Sequence, residues 1–426
     1  MKNKLLYIII LLMAGLFQAC APEVDDLFDK PAQQRINEEI KACRDLLVSS
    51  EQGWRLEYFP SATQAYGGYN MILKFTEKEV TAAGETASSP SYTETSLYSM
   101  GSDMGPTLNF DTYNSIIHYF ADPDKQEGAG LGKGYEGDYE FIIMGHSDNE
   151  IILKGKKTKN VMRMIRMEES AESYLTAVQK IRDDYNSLFG VEGASGTING
   201  QSVSLSFPSD RKLSAQIGTE ELQSAAYLFT STGIRFYSPL LIGGKEVDSF
   251  GWSFTDQAFE YEGQTIPFRY DPNMEDYTQY LGKYTMKYNG YYGASSLEIE
   301  LTIGTYKQNY IIKGMLPIDV IMTYAEPVVD GVKTPRMELL NQQLLDGSGN
   351  YLSVWNAESG RLTWGGTDFR YGMYGERDAD NPNLYRFVDD GRREEATTGM
   401  ILWGQPGEYR AYGESRFAHI TLLKHD

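Results

Sequence analysis

The sequence predicts a mainly β protein of antiparallel barrel- or sandwich-like units, the second of them lipocalin-like, with two amphipathic helices. Three observations carry that prediction. Aromatic residues and glycine are abundant, with 31 Tyr, 18 Phe, 5 Trp and 42 Gly against 15 Pro in 426 residues, which is the bias of strands joined by glycine turns. Apolar residues alternate with period two through most of the chain. Two segments instead carry apolar stripes at spacings of three and four.

Residues 1–19 hold Lys2 and Lys4, an apolar run from Leu5 to Phe17, and Ala19 directly before Cys20. That is the layout of an export signal. The run of about 13 residues is shorter than the roughly 20 that cross a bilayer. Cleavage is expected before Cys20, whose sulfur would carry the lipid, although Phe17 stands where the usual lipobox has Leu. Residues 20–30 then read as an acidic tether containing Glu23, Asp25 and Asp26.

The spacing of Ile36, Ile40, Cys43 and Leu47 predicts a helix over 31–50 within the segment 31–52, capped by Asp29, with Cys43 on its inner face. Alternation follows at Trp54, Leu56 and Tyr58, at Met71, Leu73 and Phe75, and at Tyr139, Phe141 and Ile143. A second helix is expected over 169–189, with Tyr174, Val178, Ile181, Tyr185 and Leu188 on one stripe and Gly190 closing it. Strands resume at Val203, Leu205 and Phe207 and at Phe250, Trp252 and Phe254, positioned to complete the sheet begun before the helix. These elements define a first β-rich domain at 53–270. A second, barrel-like domain at 277–426 contains the cleanest alternation, Leu297, Ile299, Leu301 and Ile303. The polar stretch 271–276 reads as the linker, and an echo between 151–155 and 310–314 suggests duplication.

Trp54-Arg-Leu-Glu-Tyr-Phe-Pro60, Gly67-Gly-Tyr-Asn70, Gly105-Pro-Thr-Leu-Asn-Phe-Asp-Thr-Tyr-Asn114, Gly137-Asp-Tyr-Glu-Phe141 and Leu153-Lys-Gly-Lys-Lys157 resemble the Bacteroidota surface lipoproteins grouped as domain of unknown function 4302. The resemblance spans most of the chain after Cys20 and implies no particular activity. It implies a setting in outer-membrane nutrient uptake, beside a TonB-dependent transporter and its substrate-binding lipoprotein. The acids behind Cys20 likewise resemble the signal that sends such lipoproteins to the outer face of the outer membrane.

A formal charge of −20 repels phosphate backbones and argues against a nucleic-acid partner. Cys20 and Cys43 are the two cysteines, so lipidation of Cys20 leaves no internal disulfide. His118, His146, His419 and His425 show no metal-ligand spacing, and neither a metal nor a cofactor is expected. The glycine-dense stretch 128–137 lacks the Gly-Lys-Ser/Thr ending of a phosphate loop. No Gly-x-Ser-x-Gly elbow is present. Asp138 with Glu140, and Glu298 with Glu300, would sit about 7 Å apart on extended strands, within the range of glycosidase pairs. Alternating acids are, however, the ordinary solvent face of an antiparallel strand, and spacing alone does not carry a catalytic claim. The acidic loop 377–383 has Pro382 at a ligand position and lacks the glycine of a hand-type calcium loop.

Aromatic residues remain as the candidate binding surface. Trp364, Phe369, Tyr371 and Tyr374, with Arg370 among them, thread a glycine-rich stretch, and Tyr291 and Tyr292 sit beside Tyr288 between Gly290 and Gly293. Rings with a flat apolar face and a polar edge suit stacking on sugars or peptide side chains. Gly365, Gly366, Gly372 and Gly375 argue against a regular strand there, so the rings are expected on a loop or barrel rim. The expected function is non-catalytic capture of a glycan or peptide by a lipid-anchored outer-membrane protein. A carboxylate-dependent hydrolase and an adhesin or structural surface protein are the alternatives.

Overall fold

Alternating strands close on themselves three times. The computed structural model describes residues 31–103, 105–125, 128–130, 132–359, 366–404 and 407–425. The export signal, Cys20, the acidic tether, Asp29, Trp364 and Gly365 lie outside the described residues. The chain divides into two units, Met1–Ser187 with Gly193–Phe268, and Leu188–Glu192 with Arg269–Asp426.

In the first unit, helix α1 (Ala32–Val48) precedes β1 (Trp54–Tyr58), β2 (Tyr69–Phe75), β3 (Glu79–Gly84), β4 (Glu94–Ser102), β5 (Pro106–Phe110), β6 (Glu140–His146), β7 (Glu150–Gly155) and β8 (Val161–Arg166). Neighbours pair antiparallel in chain order, and β1 pairs back onto β8 to close the barrel. Trp54, Leu56, Met71, Leu73, Phe141 and Ile143 are buried inside, as alternation predicts. Tyr139 departs from the pattern because it precedes β6, and it is exposed. Helix α1 packs on β2, β4 and β5, buries Cys43 and Leu47, and offers the Leu47 carbonyl to the Trp54 indole N–H at 2.9 Å.

The strands after helix α2 (Ala171–Ser187) do not complete that sheet. β9 (Val191–Ile198), β10 (Gln201–Ser209), β11 (Lys212–Ile217), β12 (Gln223–Thr230), β13 (Gly233–Ile242), β14 (Lys245–Ser253), β15 (Ala258–Tyr261) and β16 (Gln264–Tyr270) form a second closed barrel, with β16 beside β9. The reason is topological: β1 and β8 already cover each other's edges, and a closed sheet has no edge to extend. Tyr174, Leu175 and Val178 of α2 are buried, and the helix lies between β3 and β12.

One buried cation locks these two barrels together. Arg211, in the β10–β11 turn, pairs with Glu85 at 2.7 Å, and the two side chains are 4% and 3% exposed. Its guanidinium lies 4.0 Å from the Tyr69 ring centroid and donates to the Gly68 carbonyl. A Cβ on Gly67 would fall 2.1 Å from the Arg211 Cβ, and Gly67 has φ +69. The Gly67-Gly-Tyr-Asn70 motif is therefore a seat for Arg211.

The second unit contains the short helix α3 (Met274–Thr278), then β17 (Gly282–Gly290), β18 (Gly293–Ile303), β19 (Asn309–Lys313), β20 (Val320–Ala325), β21 (Val328–Val329), β22 (Val332–Lys333), β23 (Arg336–Leu340), β24 (Gln342–Gln343), β25 (Tyr351–Trp355), β26 (Gly372–Arg377), β27 (Leu384–Asp389), β28 (Gly399–Trp403) and β29 (Arg416–Lys424). β17, β18, β19, β20, β23, β26, β27 and β29 form a ring closed by the β17–β29 pairing, while β24, β25 and β28 make a side sheet joined through β29. β29 serves both: Thr421 and Leu422 pair with β27, and Phe417 and Ala418 pair with β28. His419 between them takes φ +53, a left-handed kink that turns the strand from one partner to the next.

The ring is filled rather than hollow. Tyr277 and Tyr310 stack with centroids 4.4 Å apart, and Tyr280, Tyr284, Tyr324 and Tyr385 complete a buried tyrosine core. Each buried phenol needs an acceptor: Tyr310 donates to the Tyr277 carbonyl at 2.8 Å and Tyr284 to the Tyr280 carbonyl at 2.7 Å. The expected linker is instead ordered. Asp271 is buried, pairs with Lys307 at 2.6 Å, and leads directly into α3. The two echoes fall on β7, seventh in its barrel, and β19, third in its ring, so they mark no equivalent positions. Among the described residues no helix is long and apolar enough to cross a membrane.

Candidate functional site: an aromatic cleft on the side sheet

The β25–β28 pairing sets Tyr351 opposite Trp403, and paired residues of an antiparallel ladder share a face. The Phe369 ring stacks beside Tyr351 with centroids 6.3 Å apart and planes at 30°. Tyr351 and Trp403 line a cleft of about 480 Å³ together with Ser348, Gly349, Asn350, Thr367 and Gly404. Its polar edge is fixed by local chemistry. The Asp346 carboxylate accepts from the Ser348 amide at 2.9 Å and from the Tyr412 hydroxyl at 2.5 Å, and Gly349 turns the chain with φ +73. A Cβ on Gly404 would lie 1.7 Å from Asn350 Oδ1, so glycine lets the amide reach this wall.

The residues singled out in sequence are dispersed. Phe369, 52% exposed, stacks on Tyr351 beside the cleft without lining it, whereas Trp364 lies outside the described residues. Arg370 is clamped by two bonds to Asp368, at 3.0 and 2.7 Å, and holds that carboxyl down at about 2. Tyr371 packs partly buried against the tyrosine core. Tyr374 lies within β26, opposite Glu338 and Val388, with the Arg336 guanidinium 4.2 Å from its centroid. The expectation of an irregular rim over this stretch thus fails from Gly372 onward. A Cβ there would meet the Leu339 carbonyl at 2.7 Å, so glycine permits close strand approach instead of breaking the strand.

Tyr291 and Tyr292 form the two-residue turn between β17 and β18. Tyr291 is covered by Arg410 and Arg416, 3.9 and 4.8 Å from its centroid, and both arginines bind Glu408 at 2.8 Å. Tyr292 is 86% exposed. Tyr288 is core, packed on Phe417. Among the described residues no ring contact joins this turn to the cleft.

The paired acids have structural partners. Asp138 is buried and accepts from the Lys157 and Thr158 amides and the Thr158 hydroxyl, while Tyr58 bonds its backbone. Glu298 and Glu300 point to solvent from β18, with Glu298 facing His425 at 3.3 Å. In the first unit, Glu57 lines a cleft of about 470 Å³ and receives Arg55, Arg163 and Arg235 at 3.1, 3.2 and 3.3 Å, so its charges are engaged with one another.

Two groups escaped sequence reasoning. Tyr351 opens β25 and Trp403 closes β28, two strands buried along nearly their whole length, and the two rings reveal themselves as neighbours only when those strands pair. Glu39, Cys43 and His146 also converge, their ligand atoms all within 4.8 Å of one another. The four-residue spacing of Glu39 and Cys43 was the available signal. Burial, then the Glu39 charge, pushes the Cys43 thiol up to about 12.

Fold and cleft together define a class: an antiparallel β protein of three barrel-like sheets with an aromatic-lined cleft on the sheet appended to the third. Within that class the chain belongs to the family described as Domain of unknown function (DUF4302), whose model matches residues 24–254, the span of α1 and most of the first two barrels. A second model, DUF4987, also described as a domain of unknown function, matches residues 260–403. No curated protein matches. Among solved structures, the Helicobacter pylori β clamp in complex with diflunisal is 11% identical over 91% of this chain and 97% of that one, with a TM-score of 0.10. The DNA polymerase III β chain of Streptococcus pneumoniae is 8% identical over the same shares, with a TM-score of 0.10. Scores so low carry no argument about fold or function.

Proposed function

We propose that the protein is a lipid-anchored surface protein of the bacterial outer membrane that captures a glycan, without catalysis, for a TonB-dependent uptake system and its substrate-binding lipoprotein. The cleft lined by Tyr351 and Trp403, with Phe369 stacked on Tyr351 at its side, carries the binding part of this reading. Adjacent half-exposed rings with amide and hydroxyl groups at their edge suit a sugar, whose apolar face stacks while its hydroxyls bond outward. A peptide ligand remains the competing occupant of the same rings. The export signal and Cys20 support the anchor, since a lipoprotein cysteine bears more than one acyl chain and two chains hold stably where one does not. The acids behind Cys20 support exposure at the cell surface.

Calorimetric titration with a panel of oligosaccharides and peptides tests the cleft. Phe369→Ala and Trp403→Ala are expected to weaken glycan binding at least tenfold, and Phe369→Ala, at an exposed position, to change stability by less than about 1 kcal/mol. Undiminished binding in both variants, or turnover of the ligand, defeats the proposal. Localisation has its own test. Cys20→Ser is expected to give a soluble form, and Asp25→Ala with Asp26→Ala a lipidated protein that protease added to whole cells no longer reaches. If the double variant is shaved as readily as the parent, the acidic patch is only a tether.

A further inference from the structure

We propose that Glu39, Cys43 and His146 form a zinc(II) site at the rim of the first barrel. Glu39 and Cys43 lie four residues apart on α1, so one helix face presents both. His146 ends β6, where the register with β7 slips between Ile143 and Gly145 and leaves His146 opposite the buried Ile151. Paired residues share a face, so the slip brings the imidazole to the side of α1, where its Nε2 lies 3.0 Å from Glu39 Oε1, both residues being exposed. Cys43 Sγ stands 3.9 Å from the same oxygen. Around a tetrahedral ion with bonds of about 2.0–2.3 Å, ligand atoms sit roughly 3.3–3.7 Å apart, so small side-chain rotations suffice to close the three on one ion.

The donor set selects the metal. Thiolate and imidazole suit zinc, whereas calcium and magnesium take oxygen ligands. Cys43 is buried, while the side chains of His146 and Glu39 are 27% and 51% exposed. The ion would therefore be anchored from within and open to a water on its outer side. Binding exchanges the thiol proton, released to solvent, for the sulfur–metal bond, with the imidazole neutral.

Cobalt(II) titration of the reduced, metal-stripped full chain reads the site directly. The expected result is one ion per chain, with a thiolate-to-cobalt charge-transfer band that zinc(II) displaces. Cys43→Ser should abolish the band, and His146→Gln should weaken cobalt affinity at least tenfold. Absence of the band in the parent, or its persistence in Cys43→Ser, overturns the proposal. Should the buried Cys43→Ser substitution impair folding, His146→Gln decides alone, because its position is partly exposed, and unchanged affinity there also overturns it.

Discussion

Glu408 has a side chain only 6% exposed, and burial alone would raise its carboxyl, but bonds from Arg416, Ser415 and Arg410 hold it down at about 2. In the unfolded chain the group returns toward its ordinary 4.5. A depressed carboxyl contributes stability that is complete above the unfolded value and is lost as pH falls through the folded one. The second unit should therefore weaken between about pH 4.5 and pH 2, and in Glu408→Gln the melting temperature should fall less steeply across that window. Thermal melts of both proteins from pH 7 to pH 2 check this, and equal slopes would exclude Glu408 as a source. The same cluster pins Tyr291 beneath two guanidinium groups. Tyr291 is still 38% exposed, but its contact with Arg410 and Arg416 was not legible in sequence, because they are remote in the chain and a cation–ring contact leaves no trace in local pattern. Arg211 was hidden for the same reason: in sequence it is one more charge in a turn, and only its meeting with Glu85 makes it interior.

At the scale of elements, what was legible is what local periodicity specifies. Both helices were predicted within a few residues of their ends, and the inward rings of β1 and β2 were read correctly, because alternation decides which face is buried. Failures cluster where a partner decides instead. Gly372 and Gly375 read as strand breakers, yet both lie in β26, which pairs with β23 and β27, and at Gly372 the β23 backbone comes close enough to need glycine. Residues 271–276 read as a linker from polarity, yet Asp271 is claimed by Lys307 and Tyr306. Although burial raises its carboxyl, the bonds from Lys307, the Asn273 amide and Tyr306 outweigh that and hold it below the usual range. Two of the three rings of the candidate site were missed likewise: Phe369 was named from its glycine-rich surroundings, whereas Tyr351 and Trp403 became neighbours only through the β25–β28 ladder. The slip in β6 that aims His146 at α1 is equally invisible, since a bulge is set by its pairing strand.

At the scale of the molecule, apolar content is divided between separate cores. The tyrosine core draws all its buried members from the second unit. The first barrel has its own core, and Phe59, Ala226 and Leu228 form a small cluster tying it to the second barrel. Cooperativity follows shared burial, because a unit melts as one where its parts lose surface together. Two calorimetric transitions are therefore expected, with the first two barrels melting together through the Arg211 seat. Arg211→Ala strands the buried Glu85 carboxylate, a change that typically costs about 3–5 kcal/mol, and should lower one transition. Tyr310→Ala empties the centre of the tyrosine core, at about 3–5 kcal/mol for a large aromatic, and should lower the other. Each substitution acts where its own contacts lie, so each should leave the remaining transition within about a degree or two, since independent sites add without coupling. Scanning calorimetry of the two variants beside the parent separates the cases. A single transition lowered by both substitutions would mean that the chain unfolds as one body, and the division into two cooperative units would then be withdrawn.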